Sequence, residues 1–556
     1  MKTQTLFALV LSHALAGGVG SWASDQHPVD PALQFETLVT GLVEPTSMAF
    51  IGNGDLLILQ KTDGRVLRVT NGQLAGTVLD VAVESNAEQG LLGIAVDPAF
   101  LANGYVYLLY TESATGADTN VQADQLGTRI YRYRWNGSAL VEPRLLVQLP
   151  MTPGSHVGGV MAFGPDDKLY VITGDMEATP PGQLQNIPSG PPPNDRGVIF
   201  RLNTDGSAPS DNPFYDAASP GNPMNRYYAY GIRNSFGFGF DPVTGVLWES
   251  ENGPSFYDEI NRVVPGMNGG HNPIWGPDAR DPEGVGDLWM APGATYVDPL
   301  VSWLVPPALT SVAFVDSPKL GCAYEHDLLV GAYNCRVIYR FDLDEDRESL
   351  VLPGPTLADG VVDNSSSWCD EEQSEILFAV GPPWDSDSTT DIENGPDGLV
   401  YVLSYSHGTL RRFVPVPGMV PDGDADQVAN ACDCAPADPS AWSVPLEVPR
   451  LRLVAGTPLS IVWDSQRGRA GTGTRYSVVT GTLAALRGEQ GFDSACTLAS
   501  NLADPRIDDG RSVPAGSGLY YLVRAANACG AATFGEGSGS PDARDALDAS
   551  LPPDCP

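Results

Sequence analysis

One short phrase recurs along most of this chain and limits its fold more than any other feature. A Gly or Asp turn leads into an alternating apolar strand, and another turn follows. The instances are GDLLILQKTDGRVLRV from Gly54, GYVYLLYTES from Gly104, DDKLYVITGD from Asp166, GVLWESENGP from Gly245, HDLLVGAYNCRVIYRF from His326 and DGLVYVLSYSHGTLRRF from Asp397. Side chains alternate across a strand, so such segments bury one or both faces against neighbouring sheets. The six units start about 50 to about 80 residues apart, a spacing that suits propeller blades with variable loops. Roughly 380 residues of repeated strands exceed what one β-sandwich absorbs, and amphipathic helices are nearly absent before residue 415. The pattern predicts an all-β chain with a six-bladed β-propeller over 33–415. Functional groups on such a scaffold belong on loops at the channel mouth.

The phrase stops at Phe413. A Pro- and Asp-rich stretch, PVPGMVPDGDADQVANACDCAPADP, follows and reads as a linker over 416–445. Within it Asp422, Asp424 and Asp426 form a D-x-D-x-D. Alternating carboxylates on a turn can converge on one hard cation such as calcium. The stretch resembles the short calcium repeats of thrombospondin type 3 and dockerin-like segments, but lacks the bidentate Glu of an EF-hand loop. A solvated acidic linker is the competing reading. Residues 446–556 contain LRLVAGTPLSIVWD and GLYYLVRAANACG, which are strand-like, and resemble a small fibronectin-III-like β-sandwich. No catalytic constellation stands out there, so an accessory role is expected.

The chain carries 31 basic and 68 acidic residues, a formal net charge of −37. A phosphate backbone needs a positive face, so nucleic acid is not an expected partner. Residues 1–23 read as a signal peptide, with Lys2, an apolar run from Leu6 to Ala16 and Ser21-Trp22-Ala23 at the cleavage end. That run is too short to span a bilayer and no later run is long enough. A secreted protein, periplasmic or extracellular, without a membrane span is expected. Eight cysteines, at 322, 335, 369, 432, 434, 496, 529 and 555, favour disulfides in that compartment, with the pairing left open.

Four blocks carry the chemistry. The first is EQGLLGIAVDPAF, with Gln89 before Gly90; the second is SHVGGVMAFGPDDKLYVITGD, with His156. The third is YGIRNSFGFGFDP, with Arg233 and Asn234; the fourth is ESENGPSFYDEINRV followed by GGHNPIWGP. In this order they resemble the glucose/sorbosone dehydrogenase family, six-bladed propellers of which several bind pyrroloquinoline quinone (PQQ) and calcium. The resemblance covers about residues 35 to 413. It implies that His156 is the catalytic base, a role suited to a side chain that titrates near working pH. It implies that Arg233 and Asn234 contact the quinone, where a guanidinium can grip a carboxylate in two-pronged fashion. It also implies that Gln89 contacts sugar or cofactor, that the Gly253 and Pro254 carbonyls hold calcium, and that Glu259 serves a structural calcium.

The chain departs from the family in ways that bear on the cofactor. Val160 replaces an Arg, and Ser235-Phe236 replaces Pro-Gln. Asn334 stands at a Lys, and Ser388 and Thr390 stand at two arginines before Asp391. Burying a tricarboxylate costs several kcal/mol per unpaired ion, so other donors must compensate. Arg336 and Arg411 are candidates. A disulfide at Cys322 and Cys335 would stiffen the loop that contacts the cofactor. The leading expectation is PQQ- and calcium-dependent oxidation of an aldose or related hydroxyl, with electrons passing to an unidentified acceptor. No C-x-x-C-H haem motif is present. A non-catalytic, calcium-stabilised secreted binding propeller is the main alternative. A calcium-dependent hydrolase or lactonase would need a ring of axial carboxylates, which the sequence does not offer.

Overall fold

The computed structural model describes residues 26–151, 153–363, 371–381, 388–488, 491–535 and 543–555. The expected leader at 1–23 and Cys369 lie outside these residues. Each recurring phrase supplies strands to one of six sheets of four to six strands. The inner strands run outward in sequence order through antiparallel pairs, as in Pro45–Gly52, Asp55–Gln60, Arg65–Thr70 and Gln73–Asp80, while the outermost strands of the third and fourth sheets add in parallel. The last two sheets depart from this order. The fifth ends on His27–Pro28, paired with Leu377–Val380, and the outermost strand of the sixth is Leu33–Val39, paired with Thr409–Pro415.

Alternation places the core. Leu57, Leu59 and Val66 of the first sheet pack with Leu91, Ile94 and Leu108 of the second. Their neighbours Leu56, Ile58 and Val69 face the other way, onto Val402's sheet through Leu399, Leu403 and Leu410. Six hydrophobic clusters result, one between each sheet and the next, the last sheet with the first included. The innermost strands touch in the same circuit: Pro45–Gly52, Leu91–Val96, Met161–Phe163, Ser235–Phe240, Leu309–Phe314, Thr389–Asn394, and Pro45–Gly52 again. The result is a propeller-like all-β fold.

Glycine allows these inner strands their closeness. A Cβ on Gly93 would lie 1.9 Å from the Gly159 carbonyl oxygen, and one on Gly237 would lie 1.7 Å from that of Thr310. Neither approach is possible with a larger residue.

After Pro415 the chain crosses a linker into two small sheets, one of three strands and one of four. They pack around Ile461, Trp463, Tyr476, Val478 and Val523. Cys322 bonds to Cys432, Cys434 to Cys529 and Cys496 to Cys555. The expected Cys322–Cys335 bridge is therefore corrected. Cys322 ties its loop to the linker, and Cys335 is buried in the cluster between the fourth and fifth sheets. No helix among the described residues is long and apolar enough to cross a membrane.

Candidate active site

The loops at the inner ends of the sheets enclose a cavity of about 420 Å³. That volume lies in the range of small-molecule sites, about 300–1,000 Å³. His156 enters it from the turn before Met161–Phe163, in the left-handed region at φ 54°. Gly174 lets two loops meet there, because a Cβ at that position would sit 2.3 Å from the His156 carbonyl oxygen and 2.7 Å from that of Arg233.

The His156 ring is held at both nitrogens. Nδ1 lies 2.6 Å from Asp175 Oδ1, and Nε2 lies 2.9 Å from Arg233 Nη2. The other Asp175 oxygen lies 2.9 Å from Nε2 of buried His271. Burial works against the Asp175 carboxylate. Hydrogen bonds from His156 and His271 outweigh it and hold the carboxyl below its ordinary range. An ionised Asp175 accepts from both rings, so His156 carries its proton on Nδ1 and its lone pair on Nε2. Burial pushes the His271 imidazole below its ordinary value, with Asp175 pulling the other way.

Arg233 joins the histidine to the fourth block. Its Nη1 donates to the carbonyls of Asn252 at 2.8 Å and Gly253 at 2.9 Å. Two carbonyls thus already converge on one positive group, the donor type that a hard cation also takes. Asn234 lines the cavity, accepts from the Gly158 amide at 3.2 Å and donates to Glu88 Oε2 at 3.1 Å. Glu88 Oε2 also accepts from the His156 amide at 2.6 Å, so one carboxylate braces three loops.

Other expected residues sit elsewhere. Gln89 is fully buried behind the cavity wall, donating to Gln125, while its neighbour Glu88 faces the cavity. Of these two neighbours, only Glu88 is placed to meet a ligand in the cavity as it stands. Gly253 lines the cavity, whereas Pro254 is exposed one residue beyond it. Glu259 lies across from Glu251 in the fourth sheet, with Asn261 Nδ2 donating to both Glu249 and Glu259. Burial pushes the Glu259 carboxyl up to about 8 and that of Glu249 up to about 7, and raises Glu251 as well. Asp422, Asp424 and Asp426 converge in the linker, apart from the cavity. Arg411 is buried, stacked on Phe35 and donating to Gln26, and neither it nor Arg336 lines the cavity. Both are corrected as substitutes for the missing cofactor cations.

Sequence reasoning passed over Lys61, Asp175, His271 and the aromatic walls. Lys61 lines the cavity and donates to the Ser85 carbonyl at 3.2 Å. Burial lowers its ammonium, while Glu44, Glu84 and Glu88 pull it back. Phe236, Tyr333 and Tyr405 give the cavity flat apolar surfaces, and Thr390 closes it while donating to the Pro45 carbonyl. Asp175 ends the same repeat phrase that His156 precedes, which is the signal that could have found it.

The model of the Glucose / Sorbosone dehydrogenase family matches residues 42–412, which include every innermost strand and every polar residue of the cavity. The chain belongs to the glucose/sorbosone dehydrogenase family. As a member of that family it is an oxidoreductase. The aldose sugar dehydrogenase of Escherichia coli is 26% identical over 393 residues, 68% of this chain and 92% of that protein. Quinoprotein glucose dehydrogenase B of Acinetobacter calcoaceticus is 30% identical over 252 residues, 42% of this chain and 51% of that one. A crystal structure described as a glucose dehydrogenase, from Thermus thermophilus, matches with TM-score 0.52 at 27% identity, over 69% of this chain and 100% of the other. The family match ends at Arg412, so the linker and the C-terminal sheets are additions beyond it.

Proposed function

We propose that this chain oxidises an aldose or related sugar hydroxyl with PQQ and calcium. The scaffold of the reading is a six-bladed β-propeller over 33–415, exported from the cell by the leader at 1–23. A linker over 416–445 and a fibronectin-III-like sandwich over 446–556 follow it. The circuit of inner-strand contacts supports the propeller.

The observation that carries the reading is the meeting of His156, Arg233 and the Gly253 loop around one cavity. The residues present fit the cofactor. Arg233, Lys61 and Asn234 are donors for its carboxylates and carbonyls, Tyr333, Tyr405 and Phe236 suit a flat ring system, and the Gly253 carbonyl suits calcium, with Pro254 next to it just outside the cavity. Bound there, PQQ supplies a two-electron acceptor. His156 Nε2 takes the proton of the hydroxyl being oxidised, and Asp175 keeps Nδ1–H in place and stabilises the imidazolium that forms. Arg233 must turn its Nη2 away from Nε2 for this transfer. The buried acids Glu249, Glu251 and Glu259 suit a structural calcium.

The test is reconstitution of the purified protein with PQQ and CaCl2, gel filtration, and a dye-reduction assay over a panel of aldoses. Quinone absorbance should travel with the protein and at least one aldose should reduce dye. His156→Ala should abolish turnover while keeping the quinone and the fold. A protein that retains no quinone and reduces no dye is a binding propeller instead. That outcome is favoured by Ser388 and Thr390 standing in place of basic residues.

A further inference from the structure

Outside the cavity, the linker holds a second group of unsatisfied charge. One carboxylate oxygen each of Asp422, Asp424 and Asp426 lies within 4.8 Å of the others. Asp426 is only 6% exposed, and Asp433, seven positions on, is 9% exposed. Backbone amides take both oxygens of Asp422, from Ala425 at 2.8 Å and Gln427 at 3.0 Å, and one oxygen of each of the others: Val428 donates to Asp426 Oδ1 at 2.8 Å, Asp426 to Asp424 Oδ1 at 3.2 Å and Ala435 to Asp433 Oδ1 at 2.7 Å. The second oxygens, Oδ2 of Asp424, Asp426 and Asp433, are buried with no hydrogen-bond partner among the described residues. A buried carboxylate oxygen left without a partner is costly. An oxygen of Asp424 and one of Asp426 lie within 4.8 Å of each other, and Asp433, outside that group, still acts electrostatically with both, which adds repulsion.

We propose that Asp422, Asp424, Asp426 and Asp433 form a calcium site that locks the linker between the propeller-like region and the C-terminal sheets. Carboxylate oxygens are the ligands calcium prefers, and its coordination number of about six to eight leaves room for water or backbone carbonyls. The counter-charge acting on Asp426 among the described residues is Lys319, which lies over the Trp442 ring at 4.1 Å.

The location gives the ion its role. Asp433 lies between Cys432, bonded to Cys322 in the loop after Pro318–Leu320, and Cys434, bonded to Cys529 in the C-terminal sheets. An ion held by Asp433 and by the 422–426 turn fixes the crossing at the point where both disulfides leave it. Its affinity is independent of whether quinone binds, so failure of the oxidation reading leaves this site standing.

Calorimetric titration of the EDTA-treated full chain with CaCl2 tests the site. Asp426→Asn should bind one calcium fewer than the wild type, and Asp424→Asn, at a less buried position, should bind that ion at least tenfold more weakly. Thermal unfolding supplies the second readout. Without calcium, Asp426→Asn should melt no lower than the wild type, because it removes an unpaired buried charge. With calcium, it should melt lower. An unchanged calcium count and affinity in Asp424→Asn overturns the proposal. So does an Asp426→Asn protein destabilised equally with and without calcium.

Discussion

At the scale of single residues, the candidate site depends on which nitrogen of His156 keeps its lone pair, and Asp175 decides that. Asp175→Asn preserves shape but offers an amide that can donate to Nδ1, so the ring can move its proton to Nε2 and lose the base. We expect kcat to fall by about 10²–10⁴-fold with KM little changed, as for other His–Asp pairs in which the carboxylate fixes the tautomer. Steady-state kinetics on the PQQ-loaded variant would measure this; an unchanged kcat removes Asp175 from the mechanism. The same scale shows why part of the site was hidden in the sequence. His156, Arg233, Asn234 and Gly253 stood out because each lies in a distinctive block, and the structure brings them together. Glu88 was one letter from the residue chosen, and a linear pattern does not tell which of two adjacent turn residues faces a cavity. Lys61 sits in an ordinary repeat phrase, and only the folding of the first sheet against the second carries it to the rim.

At the scale of elements, strand periodicity was fully legible, since Leu56 to Leu59 alternate between two sheet interfaces. Two features were not. Leu33–Val39 joins the last sheet rather than the first, and pairing across that distance leaves no local mark. The inner glycines were likewise silent, because their need arises from a neighbouring sheet. Gly237→Ala tests that need. Its Cβ would fall 1.7 Å from the Thr310 carbonyl oxygen, a backbone atom that cannot swing aside as a side chain would. Overpacking of this kind costs about 1–3 kcal/mol, and more where backbone must shift. We expect denaturant midpoints to drop by at least that equivalent. A midpoint like that of the wild type would mean that the fourth and fifth sheets can part without loss.

At the scale of the whole molecule, arginines hold the C-terminal sheets against the propeller-like region of a strongly acidic chain. Arg452 donates to Asp167 at 2.6 and 2.8 Å, and Arg469 reaches Asp316 at 3.2 Å and His326 Nε2 at 3.0 Å. This last contact makes the interface sensitive to acid. Burial, then Arg469 and Arg347, push the His326 imidazole down to about 4, with Asp241 pulling the other way. A folded-state value below the unfolded one, about 6.5, means that between those limits the unfolded chain binds the extra proton. Stability from this group is complete above about pH 6.5 and is lost as pH falls toward about 4. The side chain is 23% exposed, and the loss is on the order of 2–3 kcal/mol. Carboxyls raised by burial, such as Glu259, act with the opposite sign across much of that window, because their folded state binds the extra proton. The bare pH profile therefore mixes the two, and the difference between wild type and His326→Gln isolates the histidine. Thermal unfolding in EDTA should show the variant gaining on the wild type as pH falls from about 7 to about 4.5. If the gap between the two curves stays constant with pH, His326 does not titrate on unfolding and the interface is held by the arginine–carboxylate pairs alone.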